Sequence, residues 1–552
     1  MSERAPRAGG DDVVPGRPRL VDPQGKHIKA DEVPIAQATA ADLQAYGAAN
    51  RELGQMQVPV LVSRDRPNER LFVAVLDGTG NDMNNPKMGS PTGVSRVFQQ
   101  IRDQQNSGQL TNVAAGYLAG PGTGSHWFDA MEGHTFKERG ETMYQQFIEQ
   151  SARWLAENPK ADIRVAAIGF SRGAEQAAYF TRLVHERGIQ DPSGAQYTRD
   201  SDGLVTSVRY SKPPLVAPGQ VAQAALLDDP VATGDPRNYD RRLPPSVVSA
   251  LQITARDETR DQFIGSVHLP RGFSDGNRAL NLSVPGAHSN IGDGYFANGL
   301  GIRNTNMGMQ YLNGLVDNRQ PPRSTRPEPP LGHPSNVIHD SEQHRSVIYT
   351  RMGFDKDGVR DENTQLAAPR YGSAGPRGGV YQLPTNPEER IREPMDAGLA
   401  GRFEYQALPI APAPAFGPRR ADAVDNPDHR GHPLFQQALD GVRKDPNIGG
   451  KLTEDQQSRL AAALTASALE GRDPLRRIDA VVLNRQGDGL IAMEGGLGDP
   501  ANKLRVVPLA QALNTPVQDS SQRVDAALQD PARSPPNMLL QQEPLKVAGQ
   551  AR

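Results

Sequence analysis

Apolar residues in this chain collect in short runs that close on glycines and acidic residues, and that pattern predicts a parallel sheet. The run Leu71 to Leu76 in "RLFVAVLDGTGND" is continuously apolar, as a strand covered on both faces is, and it ends in a glycine-rich turn. "ENPKADIRVAAIGFSRGAEQAAYFTRLVHERG" repeats the plan with a strand from Ile163 to Ile168, a sharp turn, and a helix that Gly188 stops. "VAQAALLDDPVATGD", "SVVSALQITARDETR" and "ALNLSVPGAHSNIGDGY" continue the series. Strands alternating with helices predict an α/β fold, a mostly parallel sheet with helices on both faces. Such sheets carry their active sites beyond the strand C-termini, where the polar residues of these runs gather.

The flanks read differently. Residues 1–65 are polar and broken up, an N-terminal extension with one helix-like patch at "ATAADLQAYGAANRELG". The stretch 320–420 contains "NRQPPRSTRPEPPLGHPS" and "PIAPAPAFGPRRADAVDNPDH", too rich in proline for core helix or central strand. It is expected to hold a lid or insertion within a catalytic domain spanning 66–420, with its end acting as a linker. Beyond it, "HPLFQQALDGVRK", "TEDQQSRLAAALTASALEG" and "RIDAVVLNRQGDGLIAMEG" predict two helices and a hairpin, a small C-terminal α+β domain over 424–525. The polar, Gln-bearing tail 526–552 is expected to be disordered.

At 552 residues the chain exceeds a usual single core, so two domains or more are expected. Lys+Arg 61 against Asp+Glu 64 leaves a net charge of −3, which argues against nucleic acid as a partner. With no cysteine, disulfides, thiolate metal sites and a cysteine nucleophile are excluded. "MSERAPRAGGDDVVPG" has no apolar stretch of signal-peptide length, so no cleavable signal peptide is expected. No segment approaches the ~18 apolar residues of a membrane span.

Gly169-Phe170-Ser171-Arg172-Gly173 fits the G-x-S-x-G elbow, with a strand before it and Ala174, Ala177 and Ala178 on a close-packing helix after it. A serine hydroxyl needs a base to take its proton and an acid to orient that base. His27, His126 and His134 precede the serine, and His185 lies on the helix that follows it. His268, His333, His339 and His344 remain, but only His288 sits just past an apolar run in a small-residue loop, "VPGAHSNIGDGY". For the acid, Asp229 ranks first because Pro230 turns the chain out of the strand there. Asp228 faces the other way under strand alternation, and Asp257 can instead pair with Arg256 or Arg260 as a structural ion pair. "LDGTGND" lacks the lysine of a P-loop. It fits a loop donating backbone N–H groups to an oxyanion from Gly78 and Thr79, the amide of Arg172 adding another. Asp77 is equally placed to bond its own turn.

"LDGTGND", "YLAGPGTG", "GFSRGA", "LLDDPVATG", "LQITARDETR" and "VPGAHSNIGDGY" occur in the order seen in type VI lipase effector family 1, which residues 66–350 resemble. The resemblance implies an α/β-hydrolase fold, a bacterial phospholipase delivered into rival cells, and a Ser171, Asp229, His288 triad. Two departures stand out. The family's aspartate is usually followed by Thr-Val, here by Pro230-Val231, and its glycine run appears as Gly292-Asp293-Gly294. Residues 424–525, through "NPDHRGHPLFQQAL", "RIDAVVLNRQGDGLIAMEGG" and "DPANKLRVVPLAQALNTPVQDSS", resemble the conserved domain of Xanthomonas-type VirB/VirD4 effectors. In that group the domain is a secretion signal bound by a VirD4-type coupling ATPase. "HRGH", with His429 and His432, lacks further nearby ligands and reads as a turn or recognition element.

The resemblances together imply an enzyme without metal or cofactor. It would be made in the cytoplasm, secreted through a type IV system into the target periplasm, and matched by a cognate periplasmic immunity protein. The substrate they imply is membrane phospholipid. The residues alone leave open an esterase acting on another ester, such as an acylated cell-wall sugar, and a translocated binding protein on a hydrolase scaffold.

Overall fold

The computed structural model describes residues 19–22, 25–85, 91–123, 129, 133–317, 324–340, 360–367, 385–408, 423–427, 429–445, 448, 452, 454–470, 473–484, 487–495, 502–515 and 517–529. Much of the Pro-rich stretch 320–420, and the tail from 530, lie outside the described residues. The chain forms two compact units. The first is Met1–Pro329 with His333–Pro414, and the second is Ala415–Arg552 with Pro330–Gly332.

The first unit is built on seven strands: β1 Glu69–Leu76, β2 Val113–Leu118, β3 Asp162–Phe170, β4 Gln223–Asp228, β5 Val247–Ala255, β6 Gly272–Ser274 and β7 Ala279–Val284. Their order is β6-β7-β5-β4-β3-β1-β2. Every pair is parallel except the short edge strand β6 against β7. Helices α1 Ala40–Gln55, α2 Gly93–Asn106 and α5 Gly299–Gly314 pack on the sheet and on one another, as do α3 Phe136–Glu157 and α4 Arg172–Arg187. Alternate residues Phe72, Ala74 and Leu76 of β1 join Val165 and Ala167 of β3 in one core with Tyr144, Phe147 and Phe180. Burial on both faces explains why β1 reads as an unbroken apolar run and neither strand alternates. This is an α/β-hydrolase-like fold.

β2 and β3 flank β1 on opposite sides, so the strand order reverses there, and the loops after β1 and β3 diverge above the sheet. Residues expected as an extension are stitched into this unit. Val33–Gln37 pairs antiparallel with Val337–His339, Gln57–Pro59 with Tyr405–Ala407, and the Tyr46 hydroxyl donates to Pro285 O at 2.8 Å.

The second unit has its own core, with Phe435, Leu460, Leu464, Leu490 and Val524 among its buried residues. Helices His432–Lys444 and Glu454–Leu469 are followed by an antiparallel sheet of Ala480–Leu483, Gly489–Glu494 and Lys503–Pro508. The predicted hairpin thus gains a third strand, and helices Leu509–Asn514 and Val517–Gln529 follow. His429 Nδ1 accepts Gly431 N–H at 2.9 Å and His432 Nδ1 donates to Val424 O at 3.0 Å, so both rings serve the turn entering the first helix. Among the described residues no helix is long and apolar enough to cross a membrane.

Candidate active site

β3 ends at Phe170 and α4 starts at Arg172, leaving Ser171 alone at the corner with φ 59° and ψ −129°. A non-glycine residue in that region is strained and persists only where its surroundings hold it. Here the Ser171 N–H donates to Asp228 O at 2.9 Å, and its carbonyl accepts Ala174 N–H at 3.0 Å. The glycines either side are there for space. A Cβ on Gly173 would lie 2.2 Å from Leu76 O, and one on Gly169 would lie 2.2 Å from Gly173 O.

His288 opens a one-turn helix directly after β7 and is 4 % exposed. Its Nε2 lies 2.8 Å from Ser171 Oγ and its Nδ1 2.5 Å from Asp229 Oδ2. Asp229 follows β4, is fully buried, and turns outward at φ 42° with its N–H on Ile253 O at 2.7 Å. The ring of Phe170 stacks on the imidazole at 4.7 Å and that of Phe263 meets it edge-on at 4.9 Å. Burial lowers the His288 pKa against the upward pull of Asp229, so the resting ring is neutral. With its Nδ1–H on the carboxylate, its Nε2 is left as an acceptor facing the serine hydroxyl.

The other expected residues divide. Asp228 ends β4, and burial, with the Asp229 charge adding to it, pushes its carboxyl up to about 8. Asp257 accepts Gly286 N–H at 2.7 Å and donates its own N–H to Gly286 O at 3.0 Å, fastening the turn that leads to His288. Arg260 pairs instead with Glu258, whose Oε2 accepts His288 N–H at 3.2 Å. In the β1 loop, Gly78 N–H donates to Asp77 Oδ1 at 2.8 Å. That commitment corrects the expectation of Gly78 as an oxyanion donor, and Asp77 bonds its own turn. Thr79 Oγ1 accepts Arg172 Nη1 at 3.0 Å, tying that loop to the first residue of α4. Asp293, within the altered glycine run, is buried and accepts Arg96 Nε and Thr305 Oγ1, each at 3.2 Å.

A buried serine, imidazole and carboxylate thus stand in one hydrogen-bonded line, at the strand C-termini beside the reversal of strand order. Residues 70–212 match the family described as "T6SS, Phospholipase effector Tle1-like, catalytic domain". Residues 425–526 match the one described as "X-Tfes, XVIPCD". The chain therefore joins a Tle1-like catalytic segment to an X-Tfes segment. No curated protein matches the chain. Similar solved structures include an uncharacterized protein from Pseudomonas aeruginosa, at 14 % identity and a TM-score of 0.30, covering 78 % of this chain and 61 % of that one. The Tle1 effector bound to the VgrG spike of the Type 6 secretion system is 21 % identical with a TM-score of 0.25, covering 41 % of this chain and 51 % of that one. Apo Thermogutta terrifontis esterase 2 is 15 % identical with a TM-score of 0.23, covering 55 % of this chain and 97 % of the esterase. The chain thus spans less than two thirds of the first two proteins.

Three charged residues of this site were not among those expected: Glu258, Arg260 and Arg360. The first two stand in the quoted "ARDETR", where a carboxylate flanked by arginines was the available signal. Arg360 is 131 residues from Asp229, and nothing in its sequence neighbourhood points to it.

Asp228 yields a prediction with a defined sign. An unfolded aspartate ionises near its ordinary value, whereas folded Asp228 keeps its proton to about pH 8. Folding therefore takes up a proton between those values, and this group's contribution to stability falls as pH rises through that window. Asp228→Asn has no such proton to hold, so its melting temperature should gain on wild type between pH 4 and pH 8. Calorimetry at both pH values checks this, and an equal gap at each would contradict it.

Proposed function

We propose that this chain is a secreted antibacterial phospholipase of the A type, hydrolysing acyl esters of glycerophospholipids in rival membranes. The observation that carries this reading is the line from Ser171 Oγ through His288 to Asp229, at 2.8 and 2.5 Å. The Tle1-like match supports the lipid substrate.

In the proposed reaction His288 Nε2 takes the Ser171 proton as Oγ attacks the acyl carbonyl. The oxyanion is met by the N–H of Arg172, at the start of α4, and by that of Thr79. His288 returns the proton to the departing glycerol oxygen, releasing lysophospholipid and leaving Ser171 acylated. Water, deprotonated by His288, then frees the fatty acid and regenerates the serine. Asp229 stays ionised throughout and balances the imidazolium. Opposing effects act on its pKa, burial raising it and Arg360 and His288 lowering it, and the net shift is downward.

The second unit serves delivery in this proposal. It is read by a VirD4-type coupling ATPase for type IV export into the target periplasm, where kin are protected by a cognate immunity protein; the X-Tfes match supports this part. The experiment that tests the activity is a panel of purified glycerophospholipids incubated in H2¹⁸O and analysed by mass spectrometry. Equal release of lysophospholipid and ¹⁸O-labelled fatty acid is expected. Release of diacylglycerol or a free headgroup, or no lipid cleavage with hydrolysis of other esters, would overturn it.

A further inference from the structure

Asp229 has partners besides His288. Its Oδ2 serves His288, while its Oδ1 accepts Arg360 Nη1 at 2.6 Å and Ala255 N–H at 2.8 Å. The arginine side chain is 6 % exposed. Its Nε donates to Phe263 O at 2.7 Å, so one guanidinium holds both the acid and the residue whose ring walls the imidazole. A short strap carries it. Glu362–Asn363 runs parallel to Gly265–Ser266, with Gly265 N–H on Asp361 O and Val267 N–H on Asn363 O, both at 3.0 Å. Gly265 makes room for the crossing, since a Cβ there would come within 3.3 Å of the guanidinium carbon.

We propose that Arg360 is a positioning residue for the hydrolytic centre: docked by the 360–367 strap, it locks the Asp229 carboxylate in the plane His288 requires and sets the proton affinity of that imidazole. The inference rests on the serine-hydrolase reading above. A carboxylate held on one oxygen by two donors cannot rotate, and misplacing a reacting group by an ångström costs on the order of 10²-fold. The charge acts as well as the shape. The charged groups around His288 are Asp229 and Glu258, negative, and Arg260 and Arg360, positive, with Asp228 holding its proton to about pH 8. Arg360 opposes the imidazolium from across the carboxylate and keeps Asp229 ionised in acid. Removing the charge therefore eases protonation of both groups, and both changes move the acid limb of activity to higher pH.

The test compares Arg360→Gln and Arg360→Lys in the full chain, on a soluble ester, with kcat and KM across pH. The glutamine variant should lose about 10²-fold in kcat at unchanged KM, with its acid limb moved up by about one pH unit. The lysine variant keeps the charge without the two-point fork, so its kcat should fall while its limb stays in place. A folded glutamine variant whose limb does not move overturns the proposal. Should that variant fail to fold, wild-type kcat in the lysine variant overturns it instead. Ser171→Ala on the same substrate separates the two levels. If it stays active, the serine-hydrolase reading fails; if it is dead while both Arg360 variants match wild type, only the arginine's role fails.

Discussion

Ser171→Ala is expected to lower ester hydrolysis by about 10⁶-fold, the scale of removing a triad nucleophile. The fold should tolerate the change. The Ser171 side chain does not cap α4, and its hydroxyl bonds His288 at 2.8 Å. Alanine at φ 59° carries the same backbone strain as serine, since both have a Cβ. Melting should therefore match wild type while turnover disappears. Stopped assays on a soluble ester at neutral pH make the comparison, and a tenth or more of wild-type turnover in the variant contradicts the assignment.

Asp229→Asn should cost about 10⁴-fold in kcat, the loss expected when a histidine is held in the wrong tautomer. The structure dictates the amide's orientation. Arg360 Nη1 and Ala255 N–H both donate to the Oδ1 position, so the asparagine oxygen must face them. Its NH2 then faces His288 Nδ1, which becomes an acceptor, and the ring proton moves to Nε2, where it can no longer take one from Ser171. Asp228→Asn replaces a carboxyl that keeps its proton to about pH 8, and Asp257→Asn disturbs a turn, so each should retain turnover within about tenfold of wild type. Kinetics on all three, beside their melting temperatures, decide the acid. A larger loss at Asp257 than at Asp229 with unchanged melting would move it.

The central strands were legible because both of their faces are covered. "LFVAVL" is continuously apolar, and "IRVAAI" and "AALLD" carry one charged residue each, Arg164 and Asp228, without alternating. Some shorter or more open strands of the first unit were not expected, for the opposite reason. β2, "VAAGYL", is short and Ala/Gly-rich, β6 has only three residues, and the ribbon Ala195–Arg199 with Val205–Tyr210 lies largely open to solvent. Residues 33–37 and 57–59 carried no sign of their partners, which lie about 300 and about 350 residues further along the chain at 337–339 and 405–407. At the site, the elbow glycines and the loop setting singled out Ser171 and His288. Asp229 could be preferred over Asp228 because Pro230 ends the strand and alternation turns the two carboxylates apart. Gly78 was misread because a sequence does not say where an amide points, and Asp77 claims it. Arg360 was invisible because its role exists only once residues 360–367 lie beside Gly265–Ser266, far away in sequence.

The most direct test of the account is to trap the nucleophile. A fluorophosphonate mimics the acyl ester and phosphonylates only a serine activated by a neighbouring base. Incubated with the folded wild-type protein and digested for peptide mass spectrometry, it should leave a single adduct on Ser171, abolish ester hydrolysis in step with labelling, and leave Asp229→Asn protein almost unlabelled. Adducts on another serine, or undiminished hydrolysis by protein fully labelled at Ser171, would contradict the account.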